Sequence, residues 1–214
     1  MKKFLLIVFL IQFTIIYGCV GRNIDEGTKI TKTYNISGFT ELDVSNAFNV
    51  VVKVGEAASL KITGGENILP YIKVKNDEDD LEISLEKSFN NIGEILVEIT
   101  VKELKSVDLS GACKIKVDGI NTDSFDLDMS GACSGELIGK VRKLEIDLSG
   151  ATNLDASQLI SEMVEIETSG ASNADIYASE SVDAESSGAS NITIYGNPKA
   201  VKTDVSGASN INSK

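Results

Sequence analysis

From Thr33 onward the chain alternates apolar and polar residues at a period of two. Phe39-Thr40-Glu41-Leu42-Asp43-Val44 is followed by Phe48-Asn49-Val50-Val51-Val52-Lys53-Val54, which Gly55 closes. Further alternating runs stand at 60–63, 71–75, 81–85 and 95–101, bounded by turn formers such as Gly64-Gly65, Asn76-Asp77 and Asn90-Asn91. Successive side chains on opposite faces describe strands with one side buried and one solvated. No window holds a 3.6-residue apolar period over helix length, so the pattern predicts an all-β chain. A short helical turn fits only at 51–54 or 67–69.

The second half of the chain repeats itself. Ser-Gly-Ala stands at 110–112, 130–132, 149–151, 169–171, 187–189 and 206–208, with the serines 20, 19, 20, 18 and 19 residues apart. A near-fixed period of this size is the signature of a stacked repeat. Five, three and one residues before the serine come Phe125, Leu127 and Met129, then Leu144, Ile146 and Leu148, then Val164, Ile166 and Thr168, with acids between them. A second short strand follows, apolar at five and seven after the serine: Ile115 and Val117, Leu154 and Ala156, Ile192 and Ile194. Glycine lets the chain turn sharply at the corner, and alanine fits where rungs pack closely. Ser45-Asn46-Ala47 reads as a worn copy, with Asp43 and Asn49 at the matching offsets, so the N-terminal runs read as irregular first rungs of the same stack.

About 19 extended residues trace roughly 60 Å of contour, one coil with two or three short faces and no room for a helix. The leucine-rich spacing is absent, and a strict hexapeptide left-handed helix would hold about 18 residues per coil without drift. The expectation is a right-handed parallel β-solenoid, a β-helix with coils of about 18–20 residues, because parallel crossovers are right-handed. It occupies 33–214, with irregular N-terminal coils at 33–105 and regular Ser-Gly-Ala repeats at 106–214.

The residues ahead of it have another purpose. Lys2 and Lys3 precede an apolar run from Phe4 to Ile16 broken only by Gln12 and Thr14, the layout of a secretory leader over 1–18. It ends in Ile16-Tyr17-Gly18-Cys19, which resembles the bacterial lipobox and makes Cys19 the expected lipidation site, although Tyr17 departs from the usual small or aliphatic residue. Such a chain is anchored to a membrane without spanning it. The expected location is the bacterial cell envelope, at the outer membrane. Residues 19–32 are polar and aperiodic and read as a flexible tether.

Charge narrows the partners. The net charge is −12, and loss of Lys2 and Lys3 with the leader takes it to −14, which excludes nucleic acid as a partner. There is no histidine, and Arg22 and Arg142 are the only arginines, so imidazole-dependent catalysis is excluded and no acid or base stands apart as tuned. The chain reads as non-enzymatic, with no cofactor.

Three columns carry the remaining chemistry. Asp108, Asp128, Asp147, Glu167, Glu185 and Asp204 all stand two before the serine and should stack ~4.8 Å apart. A solvated acidic face explains them; the metal alternative would rest on Asp108, Asp128 and Asp147, but calcium wants six to eight oxygens from a shaped site. Asn153, Asn173, Asn191 and Asn210 should form a hydrogen-bonded ladder. Cys113 and Cys133 occupy equivalent positions in consecutive rungs, within disulfide reach, yet opposed residues on parallel strands aim their Cβ vectors poorly. A disulfide and two free buried thiols both stay open. Tyr177 and Tyr195 share a further column, as corner packing or as a platform for a sugar or a protein.

Gly38-Phe39-Thr40-Glu41-Leu42-Asp43-Val44 leading to Phe48-Asn49-Val50-Val51-Val52, Glu66-Asn67-Ile68-Leu69-Pro70-Tyr71-Ile72, Leu81-Glu82-Ile83-Ser84-Leu85 and the Ser-Gly-Ala ladder together resemble one family. It is that of the putative auto-transporter adhesins with a head GIN domain, common in secreted proteins and lipoproteins of the Bacteroidetes. The resemblance covers nearly all of the mature chain, implies a β-helical solenoid and offers no catalytic residues. The expected function is a lipid-anchored binding or scaffold role, with adhesion to protein or glycan. The competing readings are a divergent carbohydrate-active β-helix enzyme and a self-associating envelope module, the latter because Asn212-Ser213-Lys214 follows the last rung without a cap.

Overall fold

Each alternating run becomes a strand with its apolar side turned inward. The computed structural model describes residues 23–55 and 57–214; the leader and Cys19 lie outside them. The described residues form fifteen strands and one 3-10 turn, with no α-helix. In the N-terminal part these are β1 (Lys29–Tyr34), β2 (Glu41–Asn46), β3 (Asn49–Val54), β4 (Ser59–Gly65), the turn Leu69–Tyr71, β5 (Ile72–Asp77), β6 (Asp80–Leu85) and β7 (Leu96–Val101). The repeats supply β8 (Ser106–Gly111), β9 (Lys114–Gly131), β10 (Ser134–Gly150), β11 (Asn153–Thr168), β12 (Asn173–Ser186), β13 (Asn191–Tyr195), β14 (Ala200–Val205) and β15 (Asn210–Ser213).

The strands stack as a parallel β-solenoid of about five turns. One column of strands runs β2, β8, β9, β10, β11, β12, β14, and the next runs β7, β3, β9, β10, β11, β12, β13, β15. Every Ser-Gly-Ala copy lies over its predecessor, with Ser130 on Ser149 and Gly131 on Gly150. The worn copy obeys the same register, Ser45 on Ser110 and Asn46 on Gly111.

The glycines dictate that register. Gly131, Gly150, Gly170 and Gly188 hold φ between +83° and +90°, and a Cβ on any of them would sit 2.4 Å from the carbonyl oxygen of the preceding corner glycine. The same carbonyls accept the next alanine N–H, as from Ala151 to Gly131 and from Ala171 to Gly150, both at 2.7 Å. Left-handed backbone and a contact this close admit only glycine. Asn46 adopts the same conformation at φ 87° because it starts the column. Its Oδ1 accepts the Leu85 N–H at 2.8 Å.

Inside, the −5, −3 and −1 positions of the repeats form the core, with Phe125, Leu144, Val107 and Leu109 fully buried. Burying a side chain such as Phe125 contributes about 2–3 kcal/mol. The column three after the serine grades from Phe48 through Cys113 and Cys133 to Thr152, Ser172 and Ser190, all buried. The small members donate back to their own corner, Ser172 Oγ to the Ser169 carbonyl at 3.0 Å and Cys133 Sγ to the Ser130 carbonyl at 3.2 Å. Buried hydroxyls are thereby satisfied, so a narrow polar seam replaces apolar packing at little cost.

The N-terminal end departs from the parallel plan. β4 lies antiparallel on β7, β1 antiparallel on β4, and β5 antiparallel on β6. Two expectations are corrected here. The stretch 19–32 is not a tether throughout, since β1 starts at Lys29 and the chain is docked from Glu26, whose carbonyl accepts the Asn67 N–H at 3.2 Å. Its β-branched Ile30, Thr31 and Thr33 suit a strand, and the open side of β4 provides the partner. The helical turn falls at Leu69–Tyr71, where Pro70 opens it, whereas 51–54 belongs to β3.

Gly150→Ala is expected to destabilise the fold by about 3–5 kcal/mol or abolish folding, through positive φ and the clash with the Gly131 carbonyl. Gly38→Ala, where a Cβ meets nothing within 4 Å, should change stability by less than about 0.5 kcal/mol. Denaturant midpoints of the two variants check this, and equal values would contradict it.

Candidate functional site: an acidic groove beside the serine corner

The in-register stack turns one repeated acid into a column. Asp108 pairs with Asp128, Asp128 with Asp147, Asp147 with Glu167, Glu167 with Glu185 and Glu185 with Asp204. At the other end Asp43 pairs with both Asp108 and Glu82, so eight carboxylates run along the solenoid. Glu82 was not legible from the repeat because no Ser-Gly-Ala follows it. Its one signal was Leu81-Glu82-Ile83, which copies the apolar-acid-apolar order of Leu42-Asp43-Val44.

Among the described residues only Glu82 of these eight takes an ion pair, with Lys73 at 3.6 Å. Two residues back along each strand lies a second column, Asp126, Glu145, Glu165, Asp183 and Lys202. This one is partly neutralised: Lys143 bonds Glu145 and reaches Glu165 at 3.4 Å, and Lys202 reaches Asp183 at 2.8 Å.

The unneutralised column lines a groove of about 610 Å³ along the C-terminal rungs, from Asp108 to Asp204. Its other wall carries the corner serines Ser130, Ser149, Ser169, Ser187 and Ser206. Ser187 Oγ donates to the Thr168 carbonyl of the rung below at 3.3 Å, which leaves its oxygen free to accept. Neither lysine nor an aromatic residue lines the groove. Among the described residues no three His, Cys, Asp or Glu side chains converge as a metal site, and Asp108, Asp128 and Asp147 stand in a row, each meeting one neighbour above and one below.

The crowding shows in the acidities. Burial pushes Asp108 up from the ordinary 3.8, and the charge of Asp128 adds to it. Asp147 is raised by burial and then by Asp128, Glu145 and Glu165, and Asp43 by burial and then by Asp108, Glu82 and Asp80. Asp126, in the second column, is raised by burial and then by Glu145.

The other columns are structural. Asn173 Nδ2 donates to Asn153 Oδ1 at 3.0 Å, Asn191 to Asn173 at 3.0 Å and Asn210 to Asn191 at 3.3 Å. Cys113 and Cys133 are both free and buried, so the disulfide reading of the pair is not realised. Each thiol instead turns to a corner carbonyl, and burial pushes Cys113 up to about 11, far from a reactive thiolate. Tyr177 and Tyr195 pair in register, half-buried, and the Tyr177 ring packs against Gly196.

A family signature described as "putative auto-transporter adhesin, head GIN domain" matches residues 38–198. The chain belongs to this family. A putative adhesin of Bacteroides fragilis NCTC 9343 shares the fold at TM-score 0.68 and 22% identity, over 87% of this chain and 97% of that one. A putative adhesin of Parabacteroides merdae ATCC 43184 follows at 0.57 and 19%, over 91% and 98%. A putative lipid binding protein of Parabacteroides distasonis ATCC 8503 gives 0.56 and 17%, over 88% and 97%. No curated protein matches this head GIN domain chain.

The raised carboxyls set the pH dependence. A group whose folded pKa exceeds its unfolded value destabilises the fold when ionised, so stability rises as pH falls through the raised values toward 3.8 and is lost as pH rises again. The thermal midpoint at low salt should therefore increase as the pH is lowered from 7 toward 4. Asp128→Asn, which removes a charge from both Asp108 and Asp147, should raise it at pH 7 by about 2–4 °C, for roughly 1 kcal/mol of relieved repulsion. The gain should shrink in 1 M salt, and a variant that melts lower than the parent contradicts the reading.

Proposed function

We propose that this protein is a lipid-anchored adhesin of the bacterial cell envelope, held through Cys19 at the outer membrane, and that it binds partner proteins non-catalytically through the acidic groove. Membership of an adhesin family supports the adhesion role and a cell-envelope or extracellular location. The observation that carries the groove is its unneutralised charge: from Asp108 to Asp204 the column has no ion pair among the described residues. A partner presenting extended positive charge would relieve repulsion already present in the free protein, so electrostatic complementarity selects basic protein surfaces and repels acidic glycans. The uniformity of the column supports a binding role over an enzymatic one, because a glycosidase needs two carboxyls in unlike environments.

Adherence of source cells to surfaces coated with a basic protein, an acidic protein or a neutral glycan tests the proposal. Cells carrying the parent chain should adhere to the basic surface, and a variant with Asp128→Asn, Asp147→Asn and Glu167→Gln should lose most of that adherence. Palmitate labelling should mark the parent but not Cys19→Ala, and proteases added to intact cells should remove the domain. Adherence unaffected by the triple variant, or a labelled domain protected from protease, would overturn it.

A further inference from the structure

The last rung differs from every other in what it leaves uncovered. Val201 and Val205 continue the −5 and −1 core columns, yet they are 45% and 44% exposed, against 2% for Val182 and Leu148 in the same columns. Every residue of β14 is exposed, and among the described residues no strand lies on its outer edge. Ser206 donates its N–H to the Ser186 carbonyl of the rung below at 2.8 Å. Alternate residues of a strand point the same way, so Lys202 and Asp204 also face β12, and the backbone groups of Val201, Thr203 and Val205 face outward. Such an edge is a template for another strand.

The sequence of β14 selects that strand. Written antiparallel to itself about Thr203, Ala200-Val201-Lys202-Thr203-Asp204-Val205 is self-complementary. Thr203 meets Thr203, and Val201 meets Val205, on the inward face and through the backbone groups that are free. On the outward face Lys202 meets Asp204, which would place each lysine between the partner's Asp204 and its own Asp183, already at 2.8 Å. Opposite charges and β-branched pairs directly across an antiparallel ladder stabilise it. The other end of the molecule offers no parallel column to continue, because β1 and β5 close it antiparallel. Stacking of one parallel column on another, head to tail, is therefore not available, and the self-complementary register of β14 selects two-fold closure.

The geometry points to a homodimer joined end to end by antiparallel pairing of β14 with β14 of a second copy. This is independent of what the acidic groove binds.

Sedimentation equilibrium of the full chain in density-matched detergent should give twice the monomer mass. Lys202→Asp or Asp204→Lys alone faces like charge with like and should weaken the dimer by about tenfold, through two unfavourable cross-strand pairs. Mixed, these two variants oppose unlike charges again and should form a heterodimer of parental strength. Thr203→Pro removes an N–H that no intrachain bond uses, so it should give a monomer with an unchanged circular dichroism spectrum and thermal midpoint. A monomeric parent, a larger assembly, or a dimer indifferent to both Thr203→Pro and the charge swap would overturn the proposal.

Discussion

The structure depends on one close approach, that of each corner glycine to the carbonyl of the glycine one rung below. At 2.4 Å from an absent Cβ, that contact leaves no latitude along the strand, and the alanine N–H that follows it ties the rungs together. A register slip of one residue would turn every core side chain outward. Fixing the corner therefore fixes the faces, and with them every column on the surface and in the core.

Once residues are locked in columns, the physics of each type is multiplied along the axis. Asparagines gain, since each can donate to the one below and accept from the one above. Carboxylates lose, since each is repelled from both sides, and burial raises that cost further at Asp108 and Asp147. A fold that keeps its column unneutralised from Asp108 to Asp204 while partly neutralising the neighbouring one with Lys143 and Lys202 has put its charge on one groove. The ends differ as well: β1, β4 and β5 close one with antiparallel strands, whereas β14 leaves the other with Val201 and Val205 uncovered.

Most of the stack was legible because it repeats. The offsets from Ser-Gly-Ala were enough to place Asp128 over Asp108, Asn173 over Asn153 and Tyr195 over Tyr177, since identical spacing on a parallel ladder means identical position. Asn46 was readable as a corner because asparagine tolerates the left-handed region that glycine occupies elsewhere. What repeats could not show lies where nothing repeats. Glu82 and the antiparallel β1, β4 and β5 are held by contacts distant in sequence, as of Lys29 with Gly65, which no local period encodes. The gradation from Phe48 to Ser190 in one interior column was also hidden, because a buried serine looks like a surface serine until its carbonyl partner is seen.

The most direct measurement of the central claim is native-state hydrogen exchange at Ala132, Ala151, Ala171 and Ala189, whose amides donate to the glycine carbonyl one rung below. The account predicts that all four exchange slowly and together, at the rate of the core strands, because the corners are the joints of the stack. Corner amides that exchange as fast as those of an exposed loop, while the strand amides stay protected, would contradict it.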